Sequence, residues 1–323
     1  MDDQGDRHTA TACFQESVAL FRETGDQWAL THPLCDLALR TWDAGRLHEA
    51  VALIQEYLAI FRQLRAPNGV SMALGYLSYM AVSMGDFAAA ARAAQEKAEI
   101  EGSRGLPIGR AYGLHVGADL HFAQGNLAQA RAQWQEALAL ARGSPNQGFV
   151  AATLYHLGQV ALYTDRLDEA AERLAESRRL SRGTDRWWLE AEALFAQGQV
   201  AARRHEYIDA LALMQESLTL YQEVRPKIPV RLEGLAQVWL DLHRPERAVT
   251  LLGAASQLRG AMGLPILPVD RPGYEQVLAS VRASLTDAAF AAAWAAGEAL
   301  SAEESVADAL AESQGSVVVT GTD

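Results

Sequence analysis

Lysine, cysteine and unbroken apolar stretches are what this 323-residue sequence has least of. Cys13 and Cys35 are the only cysteines, too few for a disulfide framework or a cysteine-built metal site, and they fit a reducing cytoplasm. No apolar run is long enough to span a bilayer and no signal peptide opens the chain, so no membrane role is expected. Gly and Pro, 25 and 10 residues, are too sparse for a disordered chain, and half of the residues are apolar, enough for a large core. Lys97 and Lys227 are the only lysines among 28 basic residues. Recognition of phosphate or carboxylate can use such an arginine excess; codon bias in a GC-rich genome accounts for an Arg- and Ala-heavy chain more simply. Positive charge is short overall, with a net charge of −12, and from Ala261 onward two basic residues face nine acidic ones. An acidic surface repels phosphates, which argues against nucleic-acid binding by this chain.

Catalytic signatures are missing as well. GxxxxGK[ST], GxSxG, HExxH and CxxC do not occur, and the Gly-containing stretch 102–110 lacks the lysine of a phosphate loop. Eight histidines are present, yet no two stand three or four apart on one helix; His115 and His121, six apart, face different directions. Neither an enzyme nor a metal or other cofactor is expected.

What the sequence does have is a beat. Alanine returns at positions 10, 50, 90, 130, 170 and 210, and again at 248, a forty-residue period with one slip of two residues. Gln-Glu pairs keep the same time at Gln15-Glu16, Gln55-Glu56, Gln95-Glu96, Gln135-Glu136 and Gln215-Glu216, and Glu176 holds the acidic place between the last two. Such a period is the signature of a solenoid, in which each unit buries its apolar face against its neighbours. Each unit reads as two helices. Leu154, Leu157, Gly158 and Ala161 share one face of a first helix, Asp165-Arg166 turns, and Ala170, Leu174 and Ser177 mark a second.

Small residues at Ala38, Ser78, Ala118, Gly158, Gly198 and Ala236 each stand twelve before an alanine of the beat, and Leu34, Leu74, Leu114, Leu154, Leu194 and Leu232 stand four earlier still. This pattern resembles the tetratricopeptide repeat, whose two small places let paired helices approach closely. The resemblance implies an all-α fold, a right-handed superhelix of antiparallel helix pairs, with the period of forty lengthening the usual thirty-four. The surplus is expected in helices or in loops such as 102–105 and 143–146. The two missing residues of the last unit fall between Leu220 and Leu232, and Pro226 and Pro229 argue for a linker there.

The domain organisation follows. Residues 1–259 are expected to form the array, 260–312 a helical cap, and 313–323 a disordered tail. Gly5-Asp6 lies forty residues before Gly45-Arg46, so the chain enters on a second helix; more protein is expected before Met1. The partly uncovered apolar face of residues 12–21, with Val18 and Phe21, is expected to promote self-association. In the cap, a first helix is expected from about Gly273 to Ser284. Thr286 N-caps a second that carries the i,i+4 pair Phe290 and Trp294, and Ser301 with Glu304 opens a third as a capping box. Trp187-Trp188 begins a first helix after the 183–185 loop, one ring inward as a staple for the helix start and one outward.

In tetratricopeptide arrays the first helices line a concave groove. Carried over residue by residue, that register places Tyr79, Tyr112, His115, Asp119, Phe122, Tyr155, Gln159, Tyr163, Phe195, Gln199 and Arg203 on or near it. Rings beside amide, carboxylate and guanidinium groups suit a peptide or a flat small molecule, although several rings can equally fill gaps between units. The stretches 248–259, 264–270 and 290–300 further resemble the end of large bacterial LuxR-type regulators built on a signal-transduction ATPase. That resemblance implies a repeat domain sensing a small-molecule inducer or a protein partner and relaying to ATPase and DNA-binding domains that this sequence lacks. The alternative is a free-standing adaptor binding peptides or proteins in the groove.

Overall fold

The computed structural model describes residues 3–311 apart from 104, 106, 144, 145 and 183–185, with side chains described from Thr9 onward. The loop at 183–185, residue 104 of the stretch 102–105, residues 144 and 145 of 143–146, and the tail at 313–323 therefore lie outside the described residues, while Gly102 and Ser103, expected in a loop, belong to a helix. Among those described there is no strand. The helices are α1 (Asp3–Thr24), α2 (Gln27–Asp43), α3 (Leu47–Gln63), α4 (Pro67–Ser83), α5 (Phe87–Ser103), α6 (Pro107–Ala123), α7 (Leu127–Ala141) and α8 (Gln147–Tyr163). They continue with α9 (Leu167–Ser181), α10 (Trp187–Arg203), α11 (Tyr207–Tyr221), α12 (Ile228–Asp241), α13 (Pro245–Met262), α14 (Arg271–Ser284), α15 (Asp287–Glu298) and α16 (Ala302–Ala311). The fold is an all-α tetratricopeptide-type solenoid of helix pairs. It divides into two compact units, Met1–Leu120 and His121–Asp323. No described helix is long and apolar enough to cross a membrane.

The forty-residue period resolves into two halves of twenty. Backbones with positive φ stand at Gly25, Gly45, Arg65, Gly85, Gly105 and Gly125, twenty residues apart, and recur at Asp165, His205, His243 and Gly263. From Gly45, Arg65, Gly85 and Gly125 to Asp165, His205, His243 and Gly263, the same two hydrogen bonds close the helix. After α2, Arg46 N–H reaches the Thr41 carbonyl and Gly45 N–H that of Trp42; after α8, Arg166 reaches Ala161 and Asp165 reaches Leu162. This is the Schellman closure, in which a left-handed residue satisfies carbonyls that the helix end leaves open. A seventeen-residue helix such as α2 or α4 plus such a turn accounts for one half-period.

The two small places lie where paired helices touch. Ala50, Ala90, Ala130, Ala170, Ala210 and Ala248 have no exposed surface. Opposite them, a Cβ on Gly158 would stand 2.8 Å from Leu174 Cγ, and one on Gly198 would stand 2.7 Å from Met214 Cγ and 3.1 Å from the Ala210 carbonyl. Close approach replaces solvent contact with dispersion contact on both helices, so a side chain larger than alanine there overpacks the pair. At α1, Val18 is buried, Phe21 is half-buried and Leu20 stands exposed.

One expectation is corrected. Pro226 lies in a 3-10 turn, Arg225–Lys227, but Pro229 is no linker residue: it occupies the first turn of α12. A first-turn proline gives up an N–H that has no partner in any helix, so it starts a helix as readily as it ends one.

Past the repeats, α13 runs on to Met262 and Gly263 ends it in the left-handed conformation. The cap then closes over α11–α13. α15 meets α13 backbone to backbone: a Cβ on Gly297 would lie 2.0 Å from the Thr250 carbonyl and one on Gly253 2.4 Å from the Trp294 carbonyl. Thr286 Oγ1 accepts from Ala289 N at 3.2 Å, Phe290 stacks on Trp294 at 5.6 Å, and Ser301 and Glu304 exchange side-chain and backbone bonds of 2.8 and 3.1 Å. Arg247 binds Asp308, and Gln215 donates to the Ala309 carbonyl at 3.0 Å, which ties α16 to α13 and α11.

Candidate ligand-binding groove

In the first unit the groove candidates are open to solvent to different degrees. Tyr79 on α4 is 44% exposed, its ring 5.8 Å from that of Trp42 on α2. Tyr112, half-buried on α6, lies under Lys97 Nζ, 5.8 Å from the ring centre. His115 and Asp119 follow one turn apart on α6, with Nε2 and Oδ1 separated by 3.8 Å. Lys97 also donates to the Ser71 hydroxyl (2.7 Å) and carbonyl (3.1 Å), and stands 3.8 Å from Glu101, which accepts from Ser71. These groups all come from α4, α5 and α6.

In the second unit the candidates separate. Gln159 is half-buried and Arg203 exposed, its Nη1 3.5 Å from Asp165. Tyr155 and Phe195 do not stand free in a groove: only 4% and 5% of each is exposed. They belong to a buried ionic centre built around Glu192 of α10. Arg231 of α12 donates to Glu192 Oε2 at 2.7 Å and Lys227 to Oε1 at 2.9 Å. The hydroxyls of Tyr155 (α8) and Tyr221 (α11) donate to the same carboxylate at 3.1 and 3.2 Å, and Tyr221 also reaches the Trp188 carbonyl. The Arg231 guanidinium lies 4.9 Å from the Phe195 ring centre and 4.5 Å from that of Tyr221, and Arg231 is 2% exposed.

Burial alone would raise the Glu192 pKa, but Arg231 and then Lys227 outweigh it and hold the carboxyl well below its ordinary range. The Tyr155 phenol moves the other way, pushed far up by burial and by the Glu192 charge. His156, stacked on Trp134 at 4.7 Å, is pushed down to about 4 by burial, so it is neutral at ordinary pH. Trp187 and Trp188 diverge as adjacent helical positions must: Trp187 is 45% exposed and packs on Tyr221 at 5.4 Å, while Trp188 turns into the core.

The chain's own segment 264–270 meets the ends of α6 and α8. Residues 264–267 leave Gly263 without regular secondary structure, and 268–270 turn into α14. Arg259 grips Glu233 of α12 through two hydrogen bonds of 2.6 and 2.8 Å and donates a third to the Pro265 carbonyl at 3.0 Å. Val269 N–H donates to the Ala123 carbonyl at the end of α6 (3.3 Å), and Tyr163 at the end of α8 gives its hydroxyl to the Asp270 carboxylate. Phe122 meets the Tyr163 ring edge-on at 5.2 Å. Burial, then Asp270, raises the Tyr163 phenol, and the Arg203 charge opposes that shift. Burial raises Asp270 too, against the pull of Tyr163 and Arg259.

Glu192, Lys227, Arg231 and Tyr221 had no place among the sequence candidates, yet two signals were legible. Glu192 is the one carboxylate in the otherwise apolar run Ala191–Ala196, and Lys227 is one of two lysines. The 264–270 segment carried no signal of its own, because its partners Ala123 and Tyr163 lie more than one hundred residues away.

No curated protein matches this chain. Among solved structures it is similar to the TPR domain of P58(IPK), at 12% identity over 89% of this chain and 88% of that one, with a TM-score of 0.25. Residues 110–183, from α6 to just past α9, match the family model described as Tetratricopeptide repeat, and that stretch is a tetratricopeptide region.

Proposed function

We propose that the chain is a partner-binding repeat domain that serves a bacterial transcriptional regulator of the LuxR type, sensing a protein or peptide and relaying its occupancy to other domains. Tetratricopeptide repeats are protein-interaction scaffolds, and that coarser role needs nothing beyond the helix pairs. The observation that carries it is the docking of residues 264–270. The ends of α6 and α8 hold a non-helical stretch of polypeptide through a main-chain bond to Ala123 and a side-chain bond from Tyr163. Peptide recognition combines main-chain hydrogen bonds, which give affinity, with side-chain contacts, which give specificity. Support for the regulator context is the resemblance of residues 248–310 to the ends of such proteins.

Within this reading the groove candidates take two roles. Tyr79, Tyr112, His115, Asp119, Gln159 and Arg203 offer surface to a partner, and Tyr155 and Phe195 support the inner face from behind. The test is a thermal-shift screen of peptide and metabolite pools, since anything bound by the folded state raises its apparent stability. A binder should lose at least tenfold in affinity, about 1.4 kcal/mol, with Gln159→Ala or Arg203→Ala and keep it with Glu176→Ala on α9. Equal losses from all three would remove the groove. Transcript profiling of a deletion strain tests the regulator context: an unchanged profile sinks it.

A further inference from the structure

Residues 264–270 are held as a bound peptide is held rather than as a packed element. Pro265 keeps residues 264–267 out of a helix, and Pro268 opens the turn, closed by Asp270 N–H on the Leu267 carbonyl, that leads into α14. Leu264 is buried, Pro268 is exposed, and the side chains between them are half-buried. The fixed points are few: Arg259 on the Pro265 carbonyl, Ala123 on the Val269 N–H, and Tyr163 on the Asp270 carboxylate. The wall beneath them is complete without the segment at one place and incomplete at another. Arg259 and Glu233 satisfy each other. The Tyr163 hydroxyl, set against Phe122 and near Arg203, takes its acceptor from the segment. A buried hydroxyl that loses its acceptor is costly, so this wall selects for a carboxylate.

The elements on either side of the segment are held unequally. α15 is locked on α13 by the Gly253 and Gly297 contacts, and α16 by Arg247 and Gln215. α14, which follows the segment directly, buries Val277 and Val281, with Tyr274 and Leu278 packed beside them. The segment and α14 are therefore the less tightly held part of the cap.

We propose that this face, at the ends of α6 and α8, is a binding site for a proline-spaced peptide of a partner protein whose last turn presents an Asp or Glu carboxylate, and that residues 264–270 are its resident occupant. The proposal rests on the partner-binding reading above and names the partner's chemistry. A tethered segment competes at an effective concentration on the order of millimolar, so the wild-type chain masks the site and a weakened tether reveals it.

The probe is an amidated eight-residue peptide with the sequence of residues 263–270, labelled at its amino end and titrated into the full chain by fluorescence anisotropy. Asp270→Ala removes the segment's anchor and Val269→Pro removes its main-chain donor. Each variant, folded by circular dichroism, is expected to bind the peptide at least tenfold more tightly than wild type. Adding Tyr163→Phe to Asp270→Ala should lose that gain, as should a peptide ending in Asn instead of Asp. If neither segment variant binds more tightly than wild type, the site is not a peptide site and the proposal falls. A partner found by screening that binds wild type and both variants equally also overturns it, while leaving the broader interaction reading in place.

Discussion

The chain's two lysines sit in comparable settings in different units, each beside a tyrosine ring and a buried carboxylate. Lys97 and Glu101 are one turn apart on α5, and Ser71 on α4 completes the group. Around Lys227, the carboxylate comes from α10, the second cation from α12 and the hydroxyls from α8 and α11. The first arrangement is the more local, spanning the adjacent helices α4 to α6. The second joins three successive pairs, so the ion pairs double as a clasp between repeats. In a solenoid, stability is a sum of repeat terms and neighbour terms. A charge placed across three pairs therefore controls more structure than the same charge placed among adjacent helices.

The largest expected effect tests that difference. Glu192→Ala strands Arg231, 2% exposed, with no counter-charge; breaking a buried pair from one side costs about 3–5 kcal/mol. Glu101→Ala frees a lysine that keeps both bonds to Ser71, and about 1–3 kcal/mol is expected. Urea unfolding of both variants measures the gap. Equal losses would mean that the clasp holds no more than its local counterpart.

Overpacking comes next. Ala170→Leu places a larger side chain where α8 and α9 touch so closely that a Cβ on Gly158 would stand 2.8 Å from Leu174, and costs about 1–3 kcal/mol. The same change at Ala130, equally buried, should cost a similar amount. A variant as stable as wild type would mean that the paired helices can separate freely.

Acid should act on the second unit through two groups. His156 is held near 4 by burial while an unfolded histidine binds its proton near 6.5. Between those values the unfolded chain takes up the proton and the folded one does not, so stability falls as pH falls through that window. Glu192 has the opposite origin and the same consequence. Its folded value is depressed, so the stability it contributes is present above the ordinary carboxylate range and lost as pH drops below it. Amide exchange at pH 7, 5.5 and 4.5 should show residues 121–311 losing protection ahead of 9–120, and His156→Gln should blunt the loss above pH 4.5. Simultaneous loss in both units would contradict this.

The architecture was legible because small residues at Ala130, Ala170, Gly158 and Gly198 must recur wherever helices touch, and steric need writes itself at a fixed period. The capping residues Thr286, Ser301 and Glu304 were legible for a related reason: their hydrogen bonds close within three residues. The groove was legible only as a face. Register alone could not tell the exposed Tyr79 from the buried Tyr155, because the difference lies in Glu192 and Arg231 on neighbouring repeats. Nor could it show that residues 264–270 return to Tyr163.

The smallest effect concerns the turns, where the sequence hid a regularity. The forty-residue beat was visible, but the twenty-residue one was not, because its left-handed position is filled by glycine at 25, 45, 85, 105, 125 and 263 and by Arg65, Asp165, His205 and His243 elsewhere. A side chain there crowds its own carbonyl, at about 1–2 kcal/mol, while glycine adds freedom to the unfolded chain and returns part of that gain. Arg65→Gly should therefore stabilise by about 0.5–1 kcal/mol, and Asp165→Gly by less, since aspartate tolerates this conformation better. The reverse change, Gly45→Ala, should cost about 1 kcal/mol. Melting temperatures of the three variants give the order directly. If Arg65→Gly and Gly45→Ala move stability in the same direction, conformational strain at the turns is not what sets it.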